Sequence, residues 1–218
     1  MKKIGFIGIG LMGLPMAKNL LKAKYELKAF NRTIKKAEPL KEFGAEISQS
    51  IKEVVSNNDI IITMLTDDTS VDQVMKDESF LDNIKPGSTV IDMSSVKPET
   101  AKFHGENLKS KNVNYLDAPV SGGTVGAEEA TLAIMVGGEQ KVFDDNIDVL
   151  KVMGNPTLVG PLTSGQVSKL ANQIIVSLTI GAVAEAVTLC EKAGADPKKM
   201  IKALSGGWAD SKILQTHG

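Results

Sequence analysis

Three glycines, one lysine and two short polar turns carry the chemistry readable in this chain. Gly8, Gly10 and Gly13 form a G-x-G-x-x-G run within KKIGFIGIGLMGLPMAKNLL, directly after an apolar stretch and directly before a helical pattern. In that setting the motif brings a backbone against a pyrophosphate. Gly8 permits the tight turn, Gly10 lacks a Cβ so that phosphates approach closely, and Gly13 lets the helix pack on the strand. The helix N-terminus then offers unpaired N–H groups and a partial positive charge to the anion. A glycine-rich turn in an ordinary βα unit is the plainer alternative, and the complete strand–turn–helix context speaks against it.

The second part of such a site belongs at the end of the next strand, where a carboxylate would bind the ribose 2′-hydroxyl and select NAD. Here ELKAF ends in Asn31-Arg32-Thr33, without an acid. Arg32 offers a planar fork for a 2′-phosphate, which favours NADP; the alternative is a solvated surface arginine. In DAPVSGGTVGA, Ser121, Gly122 and Gly123 follow a strand. Successive N–H groups there suit a carboxylate, although an isolated S-G-G is also simply a turn.

In GQVSKLANQ, residues Gln166, Lys169, Asn172 and Gln173 share one helix face. A polar stripe on an otherwise apolar helix is unusual, and burying an ammonium is costly. Desolvation and the nearby helix N-terminus both lower a lysine pKa, which suits acid/base work. The competing reading is a lysine whose head reaches solvent. His104 and His217 have no companions at metal-ligand spacing, so no metal site is expected. Trp208 either walls a pocket or anchors against the long helix.

The elements that must position these groups alternate. KIGFIG, ELKAF, NDIIITML, STVIDMSS, NVNYLDAPV, TLAIMVGG and NPTLVG read as strands. LPMAKNLLKA, IKKAEPLKEFG, SVDQVMKD, PETAKFHGENLKSK and QKVFDDNIDVLKVMG read as helices between them. The run Ile60-Ile61-Ile62 lacks alternation, as a parallel strand covered on both faces requires. The pattern predicts a Rossmann-type, doubly wound α/β domain with a mostly parallel sheet over residues 1–162. Residues 163–218 then read as a long interdomain helix and the start of an all-α domain. The helix is expected over 164–194, with Thr163 and Gln166 as a T-x-x-Q capping box and Gly194 as its stop. About thirty residues span roughly 45 Å. Its middle is apolar on most faces, so burial against more than one neighbour is expected. Asp196 and Pro197 start a further helix.

Composition narrows the function classes. The 218 residues are 42% hydrophobic and 23% charged, with a net charge of −1. That is a soluble globular balance without a basic field for nucleic acid or an anionic membrane. The apolar stretch 174–184 is too short to span a bilayer. A single cysteine, Cys190, excludes an internal disulfide framework, fits a reducing, cytoplasmic setting, and is expected in the core.

The segments GFIGIGLMGLPMAKNL, NRT, MLTDD, DMSS, DAPVSGG and GQVSKLANQ occur in an order that resembles the β-hydroxyacid dehydrogenase family along the whole chain. That group includes 3-hydroxyisobutyrate dehydrogenase, tartronate semialdehyde (2-hydroxy-3-oxopropionate) reductase and glyoxylate/succinic semialdehyde reductases. The resemblance implies that Gly8, Ile9, Gly10, Leu11, Met12 and Gly13 line the pyrophosphate and that Asn31, Arg32 and Thr33 hold the adenosine end. Met64 and Leu65 would touch the adenine side or the nicotinamide ribose. Ser95, where the family often has threonine, would lie near the nicotinamide and substrate. Ser121, Gly122 and Gly123 would bind the substrate carboxylate. Lys169 would be the catalytic lysine, and Asn172 would fix the substrate hydroxyl or carboxylate. Gln173 stands where the family usually has a second asparagine; the amide is kept one methylene longer, which shifts its substrate contact.

The implied activity is NADPH-dependent reduction of a small aldehyde acid to the hydroxy acid. The alternatives are an NAD-dependent 3-hydroxyisobutyrate dehydrogenase and a non-catalytic dinucleotide-binding module. Family chains continue into further helices carrying a lysine–aspartate pair that helps close the cofactor site, so a shortened helical domain is expected here. An uncovered apolar helix then implies a homo-oligomer through the helical region.

Overall fold

The computed structural model describes residues 2–217. Its elements begin with β1 (Ile4–Ile7), α1 (Gly13–Lys22), β2 (Leu27–Phe30), β3 (Glu46–Ile47), α2 (Ile51–Val55) and β4 (Ile60–Thr63). They continue with α3 (Asp68–Met75), α4 (Glu78–Leu81), β5 (Thr89–Asp92), α5 (Pro98–Ser110), β6 (Asn114–Asp117) and β7 (Val120–Ser121). Then follow α6 (Gly123–Glu128), β8 (Leu132–Gly137), α7 (Gln140–Lys151), β9 (Gly154–Gly160), α8 (Ser164–Lys192), α9 (Pro197–Leu204) and α10 (Lys212–His217). The chain divides into two compact units, one ending at Lys169 and one beginning at Leu170.

In the first unit the strands form one sheet in the order β3-β2-β1-β4-β5-β6-β8-β7, with β9 beside β8. Every pairing from β3 to β6 is parallel. The β8 strand runs antiparallel to β6 and β7, so the sheet is mixed at that edge. The 3-2-1-4-5-6 core is the arrangement that opens a crevice at the carboxyl ends of β1 and β4.

The isoleucine run explains the layering. Ile60 and Ile62 join Phe6, Met16 and Leu20 in one buried cluster, while Ile61 joins Val54, Val71 and Val90 in the other. Alternate side chains of one strand therefore feed two cores, and no position of β4 can be polar except at its end.

Several elements depart from the sequence pattern. IKKAEPLKEFG forms two short 3₁₀ segments, Ile34–Lys36 and Glu38–Phe43, because Pro39 sits within the first two positions of the second. Its stop at Gly44 holds, with φ 95°. The short elements β3, α2, α4 and α6 carry too few residues for a periodic signal.

The capping box is also corrected. Thr163 adopts a left-handed φ of 82°, and the Gln166 N–H bonds the Asp117 carboxylate at 2.9 Å instead of a local threonine. Gly194 does end α8: φ is 76°, and the Ala195 N–H reaches back to the Cys190 carbonyl at 2.8 Å. Asp196 caps α9 by accepting from the Lys198 and Lys199 N–H groups.

Within the second unit the expected burial is absent. Leu170, Ile174, Ile175, Leu178 and Leu189 are all exposed, Leu178 at 70%. Trp208 is fully exposed, neither a pocket wall nor an anchor. Cys190 is only partly buried. An apolar helix can be buried only by partners, and α9 and α10 together contain fourteen residues. By length and composition α8 is long and apolar enough to cross a membrane, with mean hydropathy 1.8 in its most apolar window. The stretch 174–184 therefore understated the apolar run, because small and hydroxyl side chains extend it in both directions.

Candidate active site

A cleft of about 200 Å³ opens at the carboxyl ends of β1, β2 and β4. Gly8, Gly10, Asn31, Arg32, Thr33, Met64 and Leu65 line it, so seven of the residues expected to meet a dinucleotide converge. A larger cleft, about 420 Å³ between Gly105, Lys109, Tyr115 and Leu162, contains none of them.

The three motif glycines separate by what surrounds them. A Cβ on Gly8 would lie 2.3 Å from the Met64 carbonyl oxygen, and Gly8 holds φ at +103°. A Cβ on Gly13 would lie 2.0 Å from the Gly8 carbonyl oxygen. Around Gly10 a Cβ would meet nothing within 4 Å. Internal packing thus demands glycine at 8 and 13 but leaves the space over Gly10 free, and a pyrophosphate on the N-terminus of α1 fits it. Ile9 is buried, Leu11 is exposed and Met12 lies between.

Asn31 turns out to support the loop itself. Its Oδ1 accepts from the Ile9 N–H at 3.0 Å and its Nδ2 donates to the Thr33 carbonyl at 3.0 Å. The glycine turn is thereby tied to the end of β2. Arg32 is exposed at the cleft, and Lys36 lines it as well. Lys36 was missed from the sequence because it lies beyond the strand end where the discriminating residue is sought. Among the described residues no carboxylate lines this cleft, although the Asp67 charge bears on Arg32.

The end of β5 supplies the floor beside it. Ser94 is fully buried; its Oγ accepts from the Leu65 N–H at 2.9 Å and its own N–H donates to Asp92 Oδ1 at 3.1 Å. Asp92 also accepts from Thr63 Oγ1 at 2.8 Å and from the Tyr115 hydroxyl at 3.2 Å. Burial raises the Asp92 carboxyl above its ordinary value and, with the Asp92 charge, raises the Tyr115 phenol. Ser95, the next residue, is exposed.

Lys169 closes the first unit. Its Nζ donates to the Val120 carbonyl at 2.9 Å, so the amine sits on the strand that leads into Ser121, Gly122 and Gly123. The S-G-G segment is not a bare turn: Ser121 ends β7, Gly122 caps α6 with φ 139° and Gly123 begins it with φ 63°. Ser121 is half-buried and both glycines are exposed. Burial lowers the Lys169 pKa. Of the two causes read from the sequence only this one acts, because Lys169 lies in the second turn of α8, beyond the reach of the helix-end charge. One turn on, Asn172 is half-buried and Gln173 exposed, and the two bond each other, Nδ2 to Oε1, at 2.9 Å.

Asp117 and Gln166 are the residues whose roles the sequence did not disclose. Asp117 is fully buried. Its Oδ1 accepts from the Thr163 N–H and its Oδ2 from the Gln166 N–H, both at 2.9 Å. Desolvation, with the charge of Asp92 adding, pushes its pKa up to about 6. Gln166 accepts from the Val96 N–H at 3.1 Å and donates to the Ser94 carbonyl at 2.9 Å. His104 is buried on α5 and pairs with Asp72 at 2.8 Å. The His217 side chain lies outside the described residues.

A family model described as the NAD binding domain of 6-phosphogluconate dehydrogenase matches residues 3–161. A second, described as the NAD-binding of NADP-dependent 3-hydroxyisobutyrate dehydrogenase, matches residues 163–218. The 2-hydroxy-3-oxopropionate reductase of Escherichia coli (strain K12) is 44% identical over 99% of this chain and 74% of that protein. The chain belongs to the β-hydroxyacid dehydrogenase family. A probable 3-hydroxyisobutyrate dehydrogenase-like protein of Arabidopsis thaliana is 35% identical over 99% of this chain and 65% of its own length. The solved 3-hydroxyisobutyrate dehydrogenase of Mycobacterium tuberculosis with L-serine superposes at a TM-score of 0.91, with 31% identity over 99% of this chain and 74% of that one. This β-hydroxyacid dehydrogenase family member is accordingly an NAD(P)-dependent oxidoreductase with a small-molecule substrate.

Proposed function

We propose that the chain reduces a small aldehyde acid of the 2-hydroxy-3-oxopropionate, succinic semialdehyde or glyoxylate type, using NADPH. The observation that carries this reading is the half-buried Lys169 amine, 2.9 Å from the carbonyl of Val120 and so next to the Ser121-Gly122-Gly123 turn. A bound nicotinamide supplies hydride to the carbonyl carbon. Lys169 donates a proton to the developing alkoxide and takes one back from solvent; oxidation runs the same transfer in reverse. Its pKa, lowered by burial, eases release of that proton. Ser121, Gly122 and Gly123 hold the substrate carboxylate, which fixes the carbonyl in place before reaction. Asn172 and Gln173 keep the roles that the family pattern gives them, holding the substrate's polar groups.

Gly8 through Gly13 take the pyrophosphate, and Met64, Leu65 and Ser95 flank the remainder of the cofactor. Arg32 and Lys36 in a cleft without a carboxylate support NADPH. The substrate class is supported by the 44% identical relative, which is named for 2-hydroxy-3-oxopropionate. A second reading, an NAD-dependent 3-hydroxyisobutyrate dehydrogenase, is favoured by the relatives of that name.

We assign the protein to the cytoplasm as a homo-oligomer. The exposed apolar residues of α8 support self-association. The start of α8, through Lys169, packs within the α/β unit, and that supports a soluble helix.

A panel of short aldehyde and hydroxy acids assayed with both cofactors tests the assignment. Lys169→Ala is expected to lower turnover by orders of magnitude with NADPH affinity retained. Unchanged turnover removes Lys169 from the chemistry.

A further inference from the structure

We propose that Asp117 is a positioning residue for Lys169, acting through the first turn of α8, with Gln166 as the second anchor of the same seat. This rests on the reading of Lys169 as the acid/base group.

Helix caps ordinarily come from the residue just before the helix. Here the capping carboxylate comes from the end of β6, 46 residues earlier. The helix start is therefore referenced to the sheet as well as to its own linker, where the Ser164 N–H bonds the Pro161 carbonyl at 3.0 Å. Thr163, at the local cap position, is held left-handed at φ 82° with its N–H on Asp117. A β-branched residue keeps such a conformation only where its surroundings impose it.

Two glycines make the seat. A Cβ on Gly137 would lie 2.4 Å from Asp117 Oδ1. One on Gly165 would lie 2.5 Å from the Asp117 carbonyl and 2.8 Å from Oδ2. Neither glycine has a positive φ, so close approach and not backbone conformation is what excludes a side chain.

Gln166 fixes the remaining freedom. Through Val96 and Ser94 it ties the same turn to the exit of β5, where Ser94 also holds the Leu65 N–H. Lys169 lies three residues further along, and its amine reaches Val120 beyond β6. Sheet, cleft floor and amine thus share one rigid reference, which is what a proton donor held to sub-ångström tolerance needs. The ionisable groups bearing on Asp117 are Asp92 of β5 and Tyr115 of β6.

The test uses the full chain with Asp117→Asn, Gln166→Met and Lys169→Ala, and each of the first two combined with the third. Without cofactor, the pKa of the Lys169 amine is measured by ¹⁵N NMR. It is expected to rise toward the ordinary lysine value in Asp117→Asn and in Gln166→Met, as the amine leaves its half-buried berth. With NADPH and substrate, kcat is expected to fall on the order of tenfold to a hundredfold with cofactor KM unchanged. Added to Lys169→Ala, neither change should cost anything further. An unaltered Lys169 pKa in both variants, or the same loss on the Lys169→Ala background, overturns the proposal. If Asp117→Asn fails to fold, Gln166→Met decides it alone. Full turnover by Lys169→Ala would instead sink the acid/base reading, and the NMR titration would still judge the seat.

Discussion

Replacing Gly10 with alanine should separate folding from dinucleotide binding more cleanly than any other change in the glycine turn. The added Cβ meets no atom of the chain within 4 Å, and Gly10 does not hold a positive φ. Its effect on unfolding free energy should therefore stay within about 0.5 kcal/mol. The space that the methyl group fills is the space a pyrophosphate needs. Displacing the phosphates breaks one or two charge-assisted bonds to backbone N–H groups, each worth about 1.5–3 kcal/mol, so a net loss of about 2–4 kcal/mol is expected. That corresponds to roughly thirtyfold to several-hundredfold weaker binding. Gly13→Ala provides the contrast. Its Cβ would stand 2.0 Å from the Gly8 carbonyl oxygen, backbone against backbone. Overpacking should destabilise the fold by about 1–3 kcal/mol or more. Urea unfolding followed by circular dichroism reports the first quantity, and calorimetric titration with NADPH the second. Wild-type affinity in Gly10→Ala would show that the phosphates do not lie over this residue.

Arg32→Ala should weaken NADPH on the order of tenfold or more while NADH binding barely moves; equal effects on both cofactors would remove Arg32 from 2′-phosphate recognition. Asp117 produces a pH signature of stability. Its folded pKa, about 6, stands above the ordinary 3.8, so between about pH 4 and 6 the folded state binds more protons than the unfolded one. Stability from this group is full below that window and falls as pH rises through it, by about 3 kcal/mol in all. The stability difference between wild type and Asp117→Asn, from urea melts at pH 4 and pH 7, should shrink toward neutrality; a constant difference would mean that Asp117 titrates normally. Sedimentation should show an oligomer that Leu178→Glu disrupts, because Leu178 is 70% exposed on an apolar helix. A monomeric wild type would refute that assignment.

Local information dominated what could be read in advance. Strand and helix periodicity located the main elements because burial on a sheet or against a helix imposes its period on contiguous residues. The glycine turn was legible for the same reason: Gly8, Gly10 and Gly13 act through a backbone that is continuous in sequence. Pro39 defeated the helix expected before Gly44, since a ring without an N–H tightens the segment into 3₁₀ turns. The short α6, which makes the S-G-G segment a helix start, has too few residues to show a period.

By itself the sequence determined the alternating α/β unit, its dinucleotide turn and the lysine-bearing helix, because each depends on neighbours along the chain. Tertiary structure alone decided what caps that helix and where its amine points. Asp117, Val96 and Val120 meet the start of α8 from positions dozens of residues away, and no local spacing records such a meeting. It also decided that most of the apolar side chains of α8 beyond Lys169 are exposed: apolar composition states what a helix would bury, but only packing partners determine whether it is buried.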